Sequence, residues 1–367
     1  MSRPVHGGNL AWAARLAGCA PHELLDFSAS ISPLGPPSSV SEAIQAAFSS
    51  MVAYPDPQYE ELKGAIATHH DISPDCILPG NGAAELLTWA ARDLAELAYC
   101  AKLVPGFSDY DRALKAFGAD LIDICLLDSQ GWRWDWEVAL TKLSTVDLSQ
   151  CGLLLNNPHN PTGALFAKSK WRSLLSRLGL VVVDEAFMDF LPPASEQSVV
   201  DWVSEFPNLI VIRSLTKFYS LPGLRLGYAI AQPKTLQRWQ QWRDPWSVNV
   251  LAAAAGVAAL GDSAFQQQTW TWLAAANAQM HEGLSQLPGL KPLPSCANFF
   301  LVGCEVSAVA LQTELLRHHR IYIRDCMSFT MLGDRYFRVA VKTTADNQRL
   351  LSALADVLPD LEGRHGG

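Results

Sequence analysis

No run of lysine or arginine occurs in this sequence, and acidic residues outnumber basic ones 36 to 28. A nucleic acid or an anionic membrane surface therefore lacks its electrostatic footprint as a partner, although a local pocket of positive charge could still take a small anion. The eight cysteines (Cys19, Cys76, Cys100, Cys125, Cys151, Cys296, Cys304 and Cys326) form no C-x-x-C pair. That spacing argues against a zinc ribbon, a redox motif or a secreted disulfide scaffold, and the residues read as free buried thiols in a reducing compartment. The longest apolar run, VLAAAAGVAAL at 250–260, falls short of the ~20 residues a membrane span needs. The N-terminal MSRPVHGGNLAWAARLAGCA is broken by Arg15 and carries His6 and Asn9, so it makes a poor signal peptide. A cytoplasmic protein is expected. There is no H-E-x-x-H, and the adjacent pairs His69/His70 and His318/His319 point to different faces, so they read as surface residues and no metal site is expected.

What the chain does have is apolar content, 49% hydrophobic residues with 12 tryptophans in 367 positions. That length favours one large domain with a smaller partner and is ample to bury a deep site. From about residue 40 to 260, helical patterns such as VSEAIQAAFSS and AAELLTWAARDLAELA alternate with short apolar runs: AKLVP, LIDICLL, GLLLNN, GLVVVDEAF, NLIVIRS and GLRLGYAI. This alternation predicts an α/β fold whose mostly parallel sheet is covered by helices on both faces. Beyond about 262, a long helical stretch leads to NFFLVGCEV, LQTELLRHHR, IYIRDC and YFRVAVK, a smaller α+β unit. The boundaries expected are an N-terminal arm at 1–40 packing on the small domain, a large domain at 41–265 and a small domain at 266–367.

In an open α/β sheet, ligands sit outside the carboxyl ends of the strands. The informative polar residues fall there: Asn160 in GLLLNNPHNPTG, Asp184 closing GLVVVDEAF, and Ser214, Thr216 and Lys217 closing NLIVIRSLTK, with Arg225 in the next segment. Upstream, ILPGNGAAELL reads as strand, glycine turn and helix start, whose open amides at Ala83 and Ala84 suit a phosphate. A lysine that can bond covalently to an aldehyde, a carboxylate for a ring nitrogen, an amide for the ring hydroxyl and a phosphate cradle together are what pyridoxal phosphate requires. GNGAAE partly mimics G-x-G-x-x-G, but it lacks the third glycine and begins about 80 residues into the chain, which makes a dinucleotide site a weak alternative. A non-catalytic regulator on the same fold would usually carry a DNA-binding segment, and the chain has no basic patch for one.

NPHNPTG, DEAF and SLTKFYSLPGLRLGY resemble, in order and spacing, the motifs of fold-type-I pyridoxal-phosphate enzymes of the class I/II aminotransferase superfamily. Within it, HGGN (6–9), DFSASISPLGPP (26–37), YPDPQYEELK (54–63) and DEAFMDF (184–190) are most similar to the threonine-phosphate decarboxylases of cobalamin biosynthesis, with histidinol-phosphate aminotransferases as the nearest alternative. The resemblance implies a phosphorylated amino acid as substrate. It makes Lys217 the cofactor lysine and proton carrier, Asp184 the partner of the ring nitrogen and Asn160 the donor to the ring oxygen O3′. Ser214, Thr216, Arg225 and the Ala83 and Ala84 amides would bind the cofactor phosphate, Phe107 would stack on the ring, and Tyr54 would act on the neighbouring subunit's site in a homodimer. Arg338 matches the arginine that takes the substrate carboxylate and Arg324 one used for substrate phosphate, while His6 and Gly7 would close over the substrate. A guanidinium binds either anion bidentately, so the residue type alone does not divide the two roles.

Two departures from the family pattern matter, at three positions. Ser30, expected to contact substrate, and Ser32 stand where asparagines are common, and they are shorter donors. Phe187 lies against the cofactor where many superfamily members have a tyrosine that donates to O3′. Without that donor the ring oxygen's anionic form is less stabilised. The Phe187→Tyr variant should therefore titrate the visible band of the cofactor-loaded protein at lower pH than the parent does, and an unchanged or raised midpoint would contradict the assignment.

Overall fold

The computed structural model describes residues 3–128, 131–132, 141 and 143–363. The apolar runs assemble into one seven-stranded sheet in the order Ile77–Asn81, Leu226–Ile230, Leu209–Ser214, Leu180–Asp184, Cys151–Asn156, Tyr99–Val104 and Leu121–Cys125. The last five run parallel, and Leu226–Ile230 is antiparallel to both its neighbours. A sheet covered on both faces has no wet side, which is why these strands read as continuous apolar runs. Alternate residues nevertheless serve different cores, because successive side chains point to opposite faces. Leu153, Leu155, Val181, Val183 and Val211 join a cluster with Trp171, Leu174 and Ala252. Leu154, Val182, Ile210 and Ile212 pack on the other face with Leu86, Ala90 and Trp239. Each such side chain contributes roughly 1.5–3 kcal/mol through burial, before the entropy of ordering it is set against that gain.

A second, antiparallel sheet of four strands follows in the order Leu290–Pro292, Phe299–Cys304, Tyr336–Ala340 and Arg324–Asp325. The N-terminal residues lean on this unit. Helix Leu10–Ala17, capped by the Asn9 side chain, packs Trp12 against Leu316 and Tyr322. Leu25–Asp26 then pairs in parallel with Ile321–Tyr322. The 23-residue helix Ser263–Ser285 touches both units: Trp270 Nε1 donates to the Asp189 carbonyl and Asn277 Nδ2 to that of Ala297. Among the described residues, no helix is long and apolar enough to cross a membrane. The eight cysteines stand outside disulfides, four buried and four half-buried.

His70 corrects the surface reading of its pair. Helix Glu60–His70 lies against the sheet, and its last turn sets His70 Nε2 2.8 Å from the hydroxyl of Tyr228, on the antiparallel strand. Burial pushes the pKa of His70 down to about 2.

The topology gathers polar groups at one edge. Asn156 and Asp184 are registered partners at the ends of adjacent strands, and Ser214 ends the next one. Gly227 permits the close approach that completes this edge, since a Cβ there would stand 2.7 Å from both the Ala83 nitrogen and the Arg213 carbonyl oxygen. Backbone cannot yield as a flexible side chain can. Gly227→Ala should therefore cost about 1–3 kcal/mol, measured as a lowered thermal or denaturant midpoint; an unchanged midpoint would show that the helix start and the strand separate freely.

Candidate active site

The strand ends open into a cavity of about 190 Å³. His6, Gly7, Phe107, Asn160, Asp184, Phe187, Lys217, Arg324 and Arg338 all line it, so nine of the residues singled out in the sequence converge from both sheets and the N-terminal arm. A larger cavity of about 560 Å³ lies between Gly163–Phe166 and Leu293–Cys296. Among the described residues its one titratable lining residue is Cys296, whose thiol burial pushes up to about 12, so that the thiol stays protonated near neutral pH.

Lys217 sits three residues past the end of its strand, in a segment whose main chain is held from outside. The Lys217 carbonyl accepts from the Ser32 amide, and the Ser220 hydroxyl donates to the Ser32 carbonyl. Among the described residues, its Nζ has no hydrogen-bonded or ion-paired partner. Burial, followed by the charges of Arg338 and Arg225, lowers the pKa of this amine to about 8, so an appreciable fraction is uncharged and nucleophilic near neutrality.

Asp184 is buried, and burial raises its pKa against the hydrogen bonds that hold the carboxylate. Tyr110 donates to Oδ2 at 2.7 Å and the Ala186 amide to Oδ1 at 3.0 Å. Sequence reasoning passed over Tyr110. Its one signal is its place three residues after Phe107, one helical turn away at the start of helix Ser108–Ala116.

Arg338 and Arg324 are buried, and among the described residues neither pairs with a carboxylate. Arg338 donates to Asn160 Oδ1 at 2.5 Å, leaving the Asn160 Nδ2 as that side chain's donor. Burial and the repulsion of Arg324 lower the Arg338 pKa to about 10. Arg324 donates to the carbonyls of Pro4 and Val5 and to Ser328 Oγ. The next residue, His6, has its ring 5.6 Å from that of Phe107, and burial lowers its pKa. Two buried guanidiniums without counter-charge make a site for two anionic groups.

The residues expected to hold a phosphate do not line this cavity but lie together beside it. Gly82, at φ +75°, starts helix Ala83–Leu94 with no side-chain cap, which leaves the first amides open. Arg225 lies against it so closely that a Cβ on Gly82 would meet Nη2 at 2.5 Å. Ser214 Oγ, near the same edge, accepts from the Thr216 amide at 3.3 Å. An amine, a carboxylate, an amide donor and a cationic cradle at a helix start are the donor set pyridoxal phosphate calls for, so the residues fit that group.

Two expected residues stand apart. Ser30 is buried outside the cavity lining, and among the described residues its hydroxyl has no hydrogen-bond partner. Tyr54 is 79% exposed and stacks on the exposed Trp246, with ring centroids 4.6 Å apart, outside the lining of this chain's own cavity. Beyond Tyr110, the structure adds Ser28, Ser108 and Asn156 to the lining.

Residues 22–354 match the family aminotransferase class I and II. The chain is 41% identical over 359 residues to a threonine-phosphate decarboxylase of Salmonella typhimurium, covering 96% of each chain. It is 34% identical to a putative threonine-phosphate decarboxylase of Caldanaerobacter subterraneus subsp. tengcongensis, covering 90% of this chain and 91% of that one. Among solved structures, the histidinol-phosphate aminotransferase of Sinorhizobium meliloti in complex with pyridoxal-5′-phosphate superposes with a TM-score of 0.85 at 26% identity, covering 98% of this chain and 96% of that one.

The Tyr110 hydrogen bond generates a pH-dependent expectation. Tyr110→Phe removes a donor from the ionised carboxylate of Asp184, a loss of about 1.5–3 kcal/mol. Because the folded-state pKa of Asp184 is raised, the deficit should be small at acid pH, where the carboxyl is protonated in both proteins. It should grow as pH rises through that folded-state pKa. Thermal midpoints of parent and variant across pH check this, and an equal deficit at every pH would count against it.

Proposed function

The chain belongs to the aminotransferase class I and II family, and on that premise we propose that it decarboxylates L-threonine O-3-phosphate to (R)-1-aminopropan-2-ol O-2-phosphate in cobalamin biosynthesis, using pyridoxal phosphate. The observation that carries this reading is the pair of buried guanidiniums beside Lys217, neither facing a carboxylate among the described residues. Such a pair suits an amino acid bearing both a carboxylate and a phosphate ester. The greater identity to the Salmonella decarboxylase than to a histidinol-phosphate aminotransferase of Cupriavidus pinatubonensis, 41% against 32%, supports carbon dioxide loss over amino transfer.

Bound pyridoxal phosphate supplies an electron sink for the charge left at the substrate α-carbon, and only the α-carbon bond held perpendicular to its ring is weakened. The protein's task is therefore orientation. Arg338 would hold the substrate carboxylate, and Arg324 with His6 and Gly7 would hold the phosphate ester at the other end. Lys217 Nζ would hold the cofactor and serve as the proton carrier to the substrate α-carbon. Asp184 would face the ring nitrogen as a carboxylate, Asn160 would donate to the ring oxygen, and Phe107 and Phe187 would supply apolar walls for the ring. Ser214, Thr216, Arg225 and the Ala83 and Ala84 amides hold the cofactor phosphate. A second copy of the chain supplies Tyr54 in trans; the exposed aromatic pair Tyr54/Trp246, flanked by the exposed Phe48, Met51 and Val52, supports that assembly. The free thiols accord with a cytoplasmic location.

Purified protein loaded with pyridoxal phosphate should release carboxyl-labelled carbon dioxide from threonine phosphate without any 2-oxo acid present. Exclusive amino transfer to 2-oxoglutarate would defeat the decarboxylase reading. Lys217→Ala should lower the rate at least ~100-fold, as expected for a lost proton carrier, and borohydride treatment should label the parent at Lys217 but leave the variant unlabelled.

A further inference from the structure

Arg213 has no part in the chemistry described above, yet it is 1% exposed at the end of the strand that leads to Lys217. Its two terminal nitrogens hydrogen-bond carboxylates, while among the described residues Nε meets a third at ion-pair distance without a hydrogen bond. Nε lies 3.0 Å from Glu185 Oε2, Nη1 2.6 Å from Asp189 Oδ1 and Nη2 2.6 Å from Glu196 Oε1, with Ser198 Oγ at 3.1 Å. Glu185 is held further by the Val199 amide and the Ser198 hydroxyl. Burial pushes the Glu185 and Asp189 carboxyls up, so their place inside depends on the guanidinium they share.

The two carboxylates bracket a turn. Between and beside them come Asp184, Ala186 and Phe187, all three lining the cavity, and the turn closes through Met188 N to the Glu185 carbonyl. The inner face of the turn meets the reacting groups while both of its ends are tied behind by one side chain. Glu185 also donates its amide to the Ile212 carbonyl on the Arg213 strand, and Trp270 holds the Asp189 carbonyl. Glu196 lies outside this turn and is partly exposed.

We propose that Arg213 is a positioning residue: by clamping Glu185 and Asp189 it fixes the 184–189 turn, and through it the approach of Asp184, Ala186 and Phe187 to the cofactor ring. A planar five-donor fork suits this role and a lysine does not, because only the fork reaches three carboxylates in fixed directions. The inference rests on the pyridoxal-phosphate reading given above.

The test compares two carboxylate deletions that each remove one 2.6 Å partner of the same guanidinium. Asp189→Ala opens the clamp, whereas Glu196→Ala leaves the turn tied. Measured by titrating each protein with pyridoxal phosphate, Asp189→Ala should raise the cofactor dissociation constant roughly tenfold, about the size of one lost hydrogen bond to a charged group. It should also weaken the induced circular dichroism of the visible band. Glu196→Ala should stay within about twofold of the parent on both readouts, whatever its thermal midpoint. Arg213→Lys, which keeps the charge and loses the fork, should behave like Asp189→Ala and serves if that variant does not fold. Equal effects of the two deletions, or midpoints that fall while affinity and dichroism hold in Asp189→Ala and Arg213→Lys, would overturn the clamp alone. A parent protein that shows no visible band with pyridoxal phosphate would overturn the cofactor reading, and the clamp with it.

Discussion

An amine held away from water among positive charges is the constraint to which the rest of this structure answers. Lys217 is surrounded by the fields of Arg338 and Arg225 and by a buried wall, and those three influences together bring its pKa to about 8. Burying a cation costs free energy unless something offsets it. Here the offset comes from Asp184, itself kept ionisable by Tyr110 and the Ala186 amide. The site is thus a chain of mutual dependence: hydroxyl to carboxylate, carboxylate to amine, amine against guanidinium.

The fold exists to bring those groups to one edge. Parallel strands buried on both faces point their carboxyl ends the same way: Asn156 and Asp184 are registered partners, and Ser214 ends the next strand two residues past the partner of Asp184. The second sheet then delivers Arg324 and Arg338 from directly opposed positions, since these two are registered partners on adjacent strands. Neither sheet contains the site by itself. This division explains why the N-terminal arm, anchored on the second unit by the Leu25–Asp26 pairing, can carry His6 across to Phe107 on the first.

Much of this was legible in the amino-acid order because strand ends are marked twice, by an apolar run that stops and by a polar residue that has no other reason to stand there. Asp184 after GLVVV and Lys217 after NLIVIRSLT are of that kind. Tyr110 was not legible, because an aromatic on an amphipathic helix carries the same pattern whether it fills a core or donates to a carboxylate. Arg213 was hidden for a different reason. Its partners stand between 15 and 28 residues upstream, and ion pairing across strands and turns leaves no periodic trace. His70 misled because exposure depends on which way the last turn of a helix faces, and adjacent residues do not reveal that.

The main-chain oxygens of Pro4 and Val5 are held by Arg324. On the proposed reading, a phosphate ester docking at this guanidinium would exchange acceptors with the oxygens already there, so the net gain would be smaller than a bare ion pair gives.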